Sequence, residues 1–206
     1  MTQPAGRGAT VEFRFRNGDA VNFTAHALKI DKLLADVKAH LKSNPKRLDG
    51  NKINLNRIGY SLVQQNQKQY IDKKVADWDL KLEPRKGHFD KRFTVETPLQ
   101  NAGAYLLTAK MAGGNTSHII IWLNDTVILR KDLNKKILYF VGDARTGKPV
   151  EKANLAFFGY RQERVKMKLP TGRYYNVLTS EFAEFTNADG QSVPAQDDLQ
   201  RHFKWL

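Results

Sequence analysis

Apolar and polar residues alternate with a period of two along most of this chain, which predicts strands rather than helices. Val11, Phe13 and Phe15 fall on one side of the first such segment, with Glu12 and Arg14 on the other. Val21, Phe23 and Ala25 repeat the pattern, and Asn17-Gly18-Asp19 between the two segments is a hairpin turn signal. The period then changes. Ile30, Leu33, Leu34, Val37 and Leu41 recur at helical spacing, and Ser43-Asn44-Pro45 stops them, because proline disfavours helix at the residue before it. Residues 45–69 are polar and Asn/Gln-rich and read as an irregular excursion.

Strand patterns resume at Val75–Leu82, where Ala76, Trp78, Leu80 and Leu82 oppose Val75, Asp77, Asp79 and Lys81. Phe93–Thr97, Tyr105–Met111 and Ser117–Leu123 follow, the last two joined by a Gly113-Gly114-Asn115 hairpin loop. Asn124-Asp125-Thr126 is the best boundary. Beyond it come Val127–Leu129, Ile137–Val141, Ala153–Tyr160, Val165–Leu169, Tyr174–Leu178, Phe182–Phe185 and Phe203–Leu206. Short strands this evenly spaced predict an all-β protein of two tandem immunoglobulin-like β-sandwich domains, the first with an inserted α-helix at about residues 29–43. The expected division is a flexible lead-in at 1–8, a first sandwich at 9–125 and a second at 126–206. A final strand bearing Phe203 and Trp205 on one face suggests a second sandwich truncated at its C-terminus.

Composition adds a surface property. The 206 residues carry 34 Lys/Arg against 21 Asp/Glu, a net charge of +13. Nucleic acid, an anionic membrane or an acidic polysaccharide are the usual partners of such a surface. The basic residues stand in short clusters spread over both halves, with no basic tract, which describes a generally basic solvated surface and leaves polyanion binding as the alternative function. There is no cysteine, so disulfides, thiolate metal sites and a catalytic thiol are excluded. No segment approaches the roughly 18 apolar residues of a membrane span, and the start, MTQPAGRG, has no signal-peptide core.

The densest motif runs from Gly103 to Gly190. Gly103-Ala104-Tyr105 opens one hairpin. Asp143-Ala144-Arg145-Thr146-Gly147-Lys148-Pro149-Val150, with Ala153 beyond, links two strands. Thr186-Asn187-Ala188-Asp189-Gly190 forms a later turn. Gly147 suits a reversal needing positive φ, Pro149 an extended strand start, Ala153 close sheet packing, and Asp189-Gly190 a type I′ hairpin. In this G-x-Y, D-x-x-T-G-x-P-V-x-x-A and T-x-x-D-G series the chain resembles the macroglobulin-type domains of bacterial alpha-2-macroglobulins. The resemblance implies a structural or binding module of a larger extracytoplasmic protein, part of the body of a protease trap. Neighbouring domains of the parent chain, proteases and cell-surface proteins are the implied partners. It also implies that the thioester domain of that family, which needs a cysteine, is absent here.

Candidate chemistry is sparse. Gly142–Lys148 fits seven positions of a phosphate-binding loop, but Pro149 stands where Ser or Thr should hold magnesium, and a strand follows instead of a helix. His26, His40, His88, His118 and His202 lack metal-ligand spacing. Asp77 and Asp79 flank Trp78 in a pattern open to glycoside chemistry, though alternation alone explains it. No nucleophile–base pair is readable, so no catalytic, cofactor or metal residue is assigned and the chain is expected not to be an enzyme. Adjacent aromatics such as Phe157-Phe158 and Tyr174-Tyr175 must face opposite ways on a strand. One of each pair is then core, and Trp122, Phe158, Tyr160, Tyr175 and Trp205 are the expected domain-interface residues.

Overall fold

The structure, a computed structural model, describes residues 1–54, 58–63, 67–134, 136–165, 175–194 and 203–205. It is predominantly β, and the chain divides into two compact units: Met1–Ile30 with Asn56–Asp125, and Asp31–Leu55 with Thr126–Leu206. The division differs from two contiguous domains in one respect. Residues 31–55, inserted in sequence between strands of the first unit, belong to the second.

In the first unit, β1 (Thr2–Pro4), β3 (Ala20–Leu28), β4 (Ile71–Lys81), β6 (Gly103–Met111) and β7 (Thr116–Asn124) form a sheet in the order β1-β7-β6-β3-β4. β2 (Thr10–Phe15) and β5 (Lys91–Glu96) form a separate antiparallel ribbon. The inward sides of both enclose one core containing Val11, Phe15, Val21, Phe23, Val95, Leu107 and Ile121. Two expectations fail here. The lead-in is not free of structure: Thr2–Pro4 pairs in parallel with Trp122–Asn124, and the Gln3 side chain bonds the backbone of Thr10 at 2.6 and 3.0 Å. Nor does Asn17-Gly18-Asp19 close a hairpin. Asn17 has φ 57°, but β2 pairs with β5 while β3 pairs with β4 and β6. The apolar faces of β2 and β3 meet face to face, with Phe13 edge-on to Phe23 at 5.4 Å, so the turn carries the chain from one layer to the other.

The second unit has three layers. β8 (Thr126–Leu133), β9 (Lys136–Asp143) and β12 (Gln191–Ser192) form one sheet, and β10 (Asn154–Arg164), β11 (Tyr175–Phe185) and β13 (Lys204–Trp205) the other. Between them lie Val141, Leu155 and Phe157, with Ile137, Tyr139, Val150, Ala153, Phe182 and Trp205 against them. The outer face of the second sheet is covered by α1 (Ile30–Lys42), through Val37 and Leu41 on Phe158 and Val177. β11 is one strand where the sequence suggested two, because its partner β10 continues opposite Ser180 and Glu181 without a break. The expected strand at Val165–Leu169 lies outside the described residues apart from Val165. The polar stretch after α1, expected to be irregular, holds short helices among its described residues, including α2 (Gly50–Ile53) and α3 (Ile58–Val63).

Candidate functional site

The two turn motifs of the second unit, some forty residues apart in sequence, build a single structure. Asp143 ends β9 and organises the first turn. Its Oδ1 accepts from the backbone N–H of Arg145 at 3.0 Å and of Thr146 at 2.7 Å, and from the Thr146 hydroxyl at 2.8 Å. These donors, the Thr146 hydroxyl foremost, hold the Asp143 carboxyl below the usual carboxylate range. Gly147, at φ 70°, closes the loop by donating to the Asp143 carbonyl at 2.9 Å. The chain returns beside β9, where Pro149 bridges Gly142 and the N–H of Val150 donates to the Val141 carbonyl.

Thr186 then joins this turn to the next. It is 3% exposed, and its hydroxyl accepts from the Ala153 N–H at 2.8 Å and donates to the Val150 carbonyl at 2.6 Å. The second turn closes where Gly190, at φ 69°, accepts from the Val141 N–H through its carbonyl. A Cβ on Gly190 would meet the Val141 carbonyl oxygen at 2.5 Å and the Pro149 ring at 2.9 Å. Pro149, Val150, Ala153 and Gly190 are thus positions where one loop presses on the other. The turn is not type I′, which requires positive φ at both central residues. Asp189 is not among the positive-φ residues, and Asn187 accepts at its carbonyl from Gly190 and at its side-chain oxygen from Asp189 and Gln191. That is a three-residue loop ended by a left-handed glycine.

Gly103 and Tyr105 form a comparable device in the first unit. Gly103 has φ 150°, the Tyr105 ring lies over it, and the Tyr105 hydroxyl donates to the Asn101 carbonyl at 2.9 Å. Burial pushes the Tyr105 hydroxyl up from its ordinary value.

The expected interface residues separate into three kinds. Phe158 is 1% exposed under α1, with Lys38 and Lys42 over its ring, so a helix of its own unit covers it and it is free for no other contact. Trp205 is also internal, edge-on to Phe157 at 6.4 Å and to Phe182 at 5.5 Å. Tyr160 packs with Leu48 and Ile53 beside the same helix-covered cluster. Trp122 is half-buried on β7 and Tyr175 is 44% exposed. Sequence reasoning expected the helix to cap a sheet of the first sandwich and missed that it covers one of the second. The signal was present: Leu33, Val37 and Leu41 make an apolar stripe, and Phe158 needed a cover.

The chemical candidates are not assembled into a site. Asp77 and Asp79 share the Asn22 amide at 2.9 and 3.0 Å, and Lys74 bonds Asp77 at 2.6 Å. Lys74 and then Asn22 pull the Asp77 carboxyl down, the opposite of what a general acid needs. His88 meets Asn17 and His118 meets Thr108, each at 2.9 Å, and no group of three metal-ligating side chains occurs among the described residues. The Gly142–Lys148 loop leads into a strand bridge at Pro149, so no helix N-terminus faces a phosphate. No helix among the described residues is long and apolar enough to cross a membrane.

No protein-family model and no curated protein matches the chain. Solved structures of alpha-2-macroglobulin from Escherichia coli do resemble it. A crystal structure of the native protein spanning domains NIE-MG1 superposes with TM-score 0.52 and 14% identity, over 94% of this chain and 81% of that one. A second, spanning MG0-NIE-MG1, gives TM-score 0.49 and 14% identity, over 100% of this chain and 60% of that one. The native conformation solved by electron cryo-microscopy gives 0.44 and 15% over 98% of this chain, which spans 12% of it. The fold of this chain is that of the NIE-MG1 pair.

Proposed function

We propose that the chain is a non-catalytic structural module of a larger, extracytoplasmic alpha-2-macroglobulin-like protein, holding neighbouring domains in place within a protease-trapping body. The observation that carries this reading is the two-unit sandwich shared with the NIE-MG1 structure. The positions most constrained in it, from Asp143 to Gly190, serve turn geometry and loop-to-loop packing.

The exposure of β8 supports a role among neighbours. All eight of its residues are exposed, with Ile128 at 59% and Leu129 at 61%. It is an edge of its sheet. Its first half presents Val127, Ile128 and Leu129, an apolar run of the kind that isolated proteins blunt at an edge with charge, proline or a bulge, while Arg130, Lys131 and Asp132 charge the second half. A neighbouring domain of the parent chain is the occupant that this reading supplies.

The test uses the parent protein. Treated with proteases of differing specificity, it should change its hydrodynamic radius on a single cleavage and retain the protease. A parent that is cut by all of them with no change in size and no retention contradicts the trapping role.

A further inference from the structure

The outward face of the β2–β5 ribbon carries a charge arrangement that costs stability. Its register sets Arg14 directly opposite Arg92, and like charges directly opposed across an antiparallel pair repel. Arg16 follows at the same end. One carboxylate, Asp90, answers all three, at 2.8 Å from Arg16 Nε and 3.8 Å from Arg14 Nε. Arg16 first, with Arg14 and Arg92 adding to it, pulls the Asp90 carboxyl down. Three guanidiniums around one carboxylate leave positive charge in excess.

The loop entering β5 concentrates more. Arg85 and Lys86 precede Phe89, and Lys91 and Arg92 follow it. Lys91 is engaged by Glu83, at its carbonyl and carboxylate. The chain turns sharply there, with Gly87 at φ 78° and His88 at φ 60°. Phe89 is left 69% exposed, the most exposed large apolar side chain among the described residues. The acidic residues of the ribbon, Glu12 and Glu96, lie towards its other end, where Glu12 is taken up by Thr94 at 2.6 Å.

A polymer such as nucleic acid or an acidic glycan wants cations spread along a track. Here Arg14, Arg16 and Arg92 converge on Asp90 at one end of the ribbon, and the exposed phenyl ring of Phe89 and the exposed Arg85 and Lys86 adjoin it in sequence. A flat anionic surface with an apolar interior uses both features: the cations meet headgroup phosphates, and the ring enters the boundary beneath them. We propose that this end of the first unit, Phe89 with Arg14, Arg16, Arg85, Lys86 and Arg92, seats on the surface of an anionic phospholipid bilayer. This contact is separate from the scaffold reading and stands or falls without it.

Sedimentation of the whole chain with vesicles tests it. The chain should bind vesicles of equal phosphatidylglycerol and phosphatidylcholine, not vesicles of phosphatidylcholine alone. The Arg14→Ala/Arg92→Ala pair removes a repulsion and should leave the fold intact, while binding falls about 30-fold, as the loss of two surface cations predicts. Phe89→Trp should keep binding, and its indole emission should shift to the blue on the anionic vesicles. Equal binding to both vesicle types, binding to neither, or an unmoved Phe89→Trp emission overturns the proposal. So does retention on heparin with no vesicle binding, which marks the patch as a site for a soluble polyanion.

Discussion

Gly147 and Gly190 share a backbone conformation, at φ 70° and 69°, and differ in their surroundings. Nothing lies within 4 Å of a Cβ on Gly147, whereas one on Gly190 strikes the Val141 carbonyl and the Pro149 ring. Gly147→Ala should therefore cost only the left-handed backbone penalty, about 1 kcal/mol. Gly190→Ala adds a backbone clash and should cost at least about 2 kcal/mol more, read from denaturant midpoints of the two variants. Asp143 offers a test by pH. Its carboxyl is held below the 3.8 of the unfolded chain by Thr146 and Arg145, so its contribution is complete above that value and is lost as pH falls through the lower, folded value. Thermal melts should show wild type above Asp143→Asn at neutral pH, with the gap closing only at acidic pH below the ordinary carboxylate value, as Asp143 takes up its proton. Asp77, Asp90 and Glu181 shift in the same direction, so the variant keeps some acid sensitivity. These motif residues were legible in the sequence because each type answers a local demand: a positive φ, an Asx cap, a strand start. Thr186 stood in the turn motif, but its clamp on Val150 and Ala153 was not legible, because nothing local shows which distant backbone groups a buried threonine will bond.

Strand alternation located most elements, since a half-buried sheet writes its two faces into sequence with period two. Pairing was less legible. Val11–Phe15 and Val21–Ala25 look like the arms of a hairpin, yet their apolar sides meet across the core, and nothing in the alternation separates pairing edge to edge from packing face to face. Phe157 and Phe158 show the same limit in β10. Their opposite directions followed from the period, but the cover for Phe158 comes from α1, more than a hundred residues earlier in the chain. Leu41 is wholly buried there, and Lys42 pairs with Glu181 at 2.8 Å at the margin. Leu41→Ala should cost about 3 kcal/mol and lower the helical signal in circular dichroism, whereas Lys42→Ala should change little, being an exposed pair. For β8, Leu129→Lys should leave the melting temperature of this chain unchanged and lower that of the parent protein, where the proposed neighbouring domain covers the edge.

At the scale of the whole molecule, the account rests on a discontinuous second unit: a sandwich at 126–206 completed by residues 31–55 from within the sequence of the first. Two sandwiches were legible because strand spacing is a local property, and the candidate site was legible only as turns. The assignment of the helix was not, because sequence adjacency argues for the first unit and only tertiary packing argues for the second. The direct measurement is amide hydrogen exchange on the chain with residues 31–55 replaced by a Gly-Ser linker. The account predicts faster exchange in β10 and β11, which lose the α1 layer, with β3, β6 and β7 as protected as before. Loss of protection in β3, β6 and β7 with β10 and β11 unchanged would contradict it.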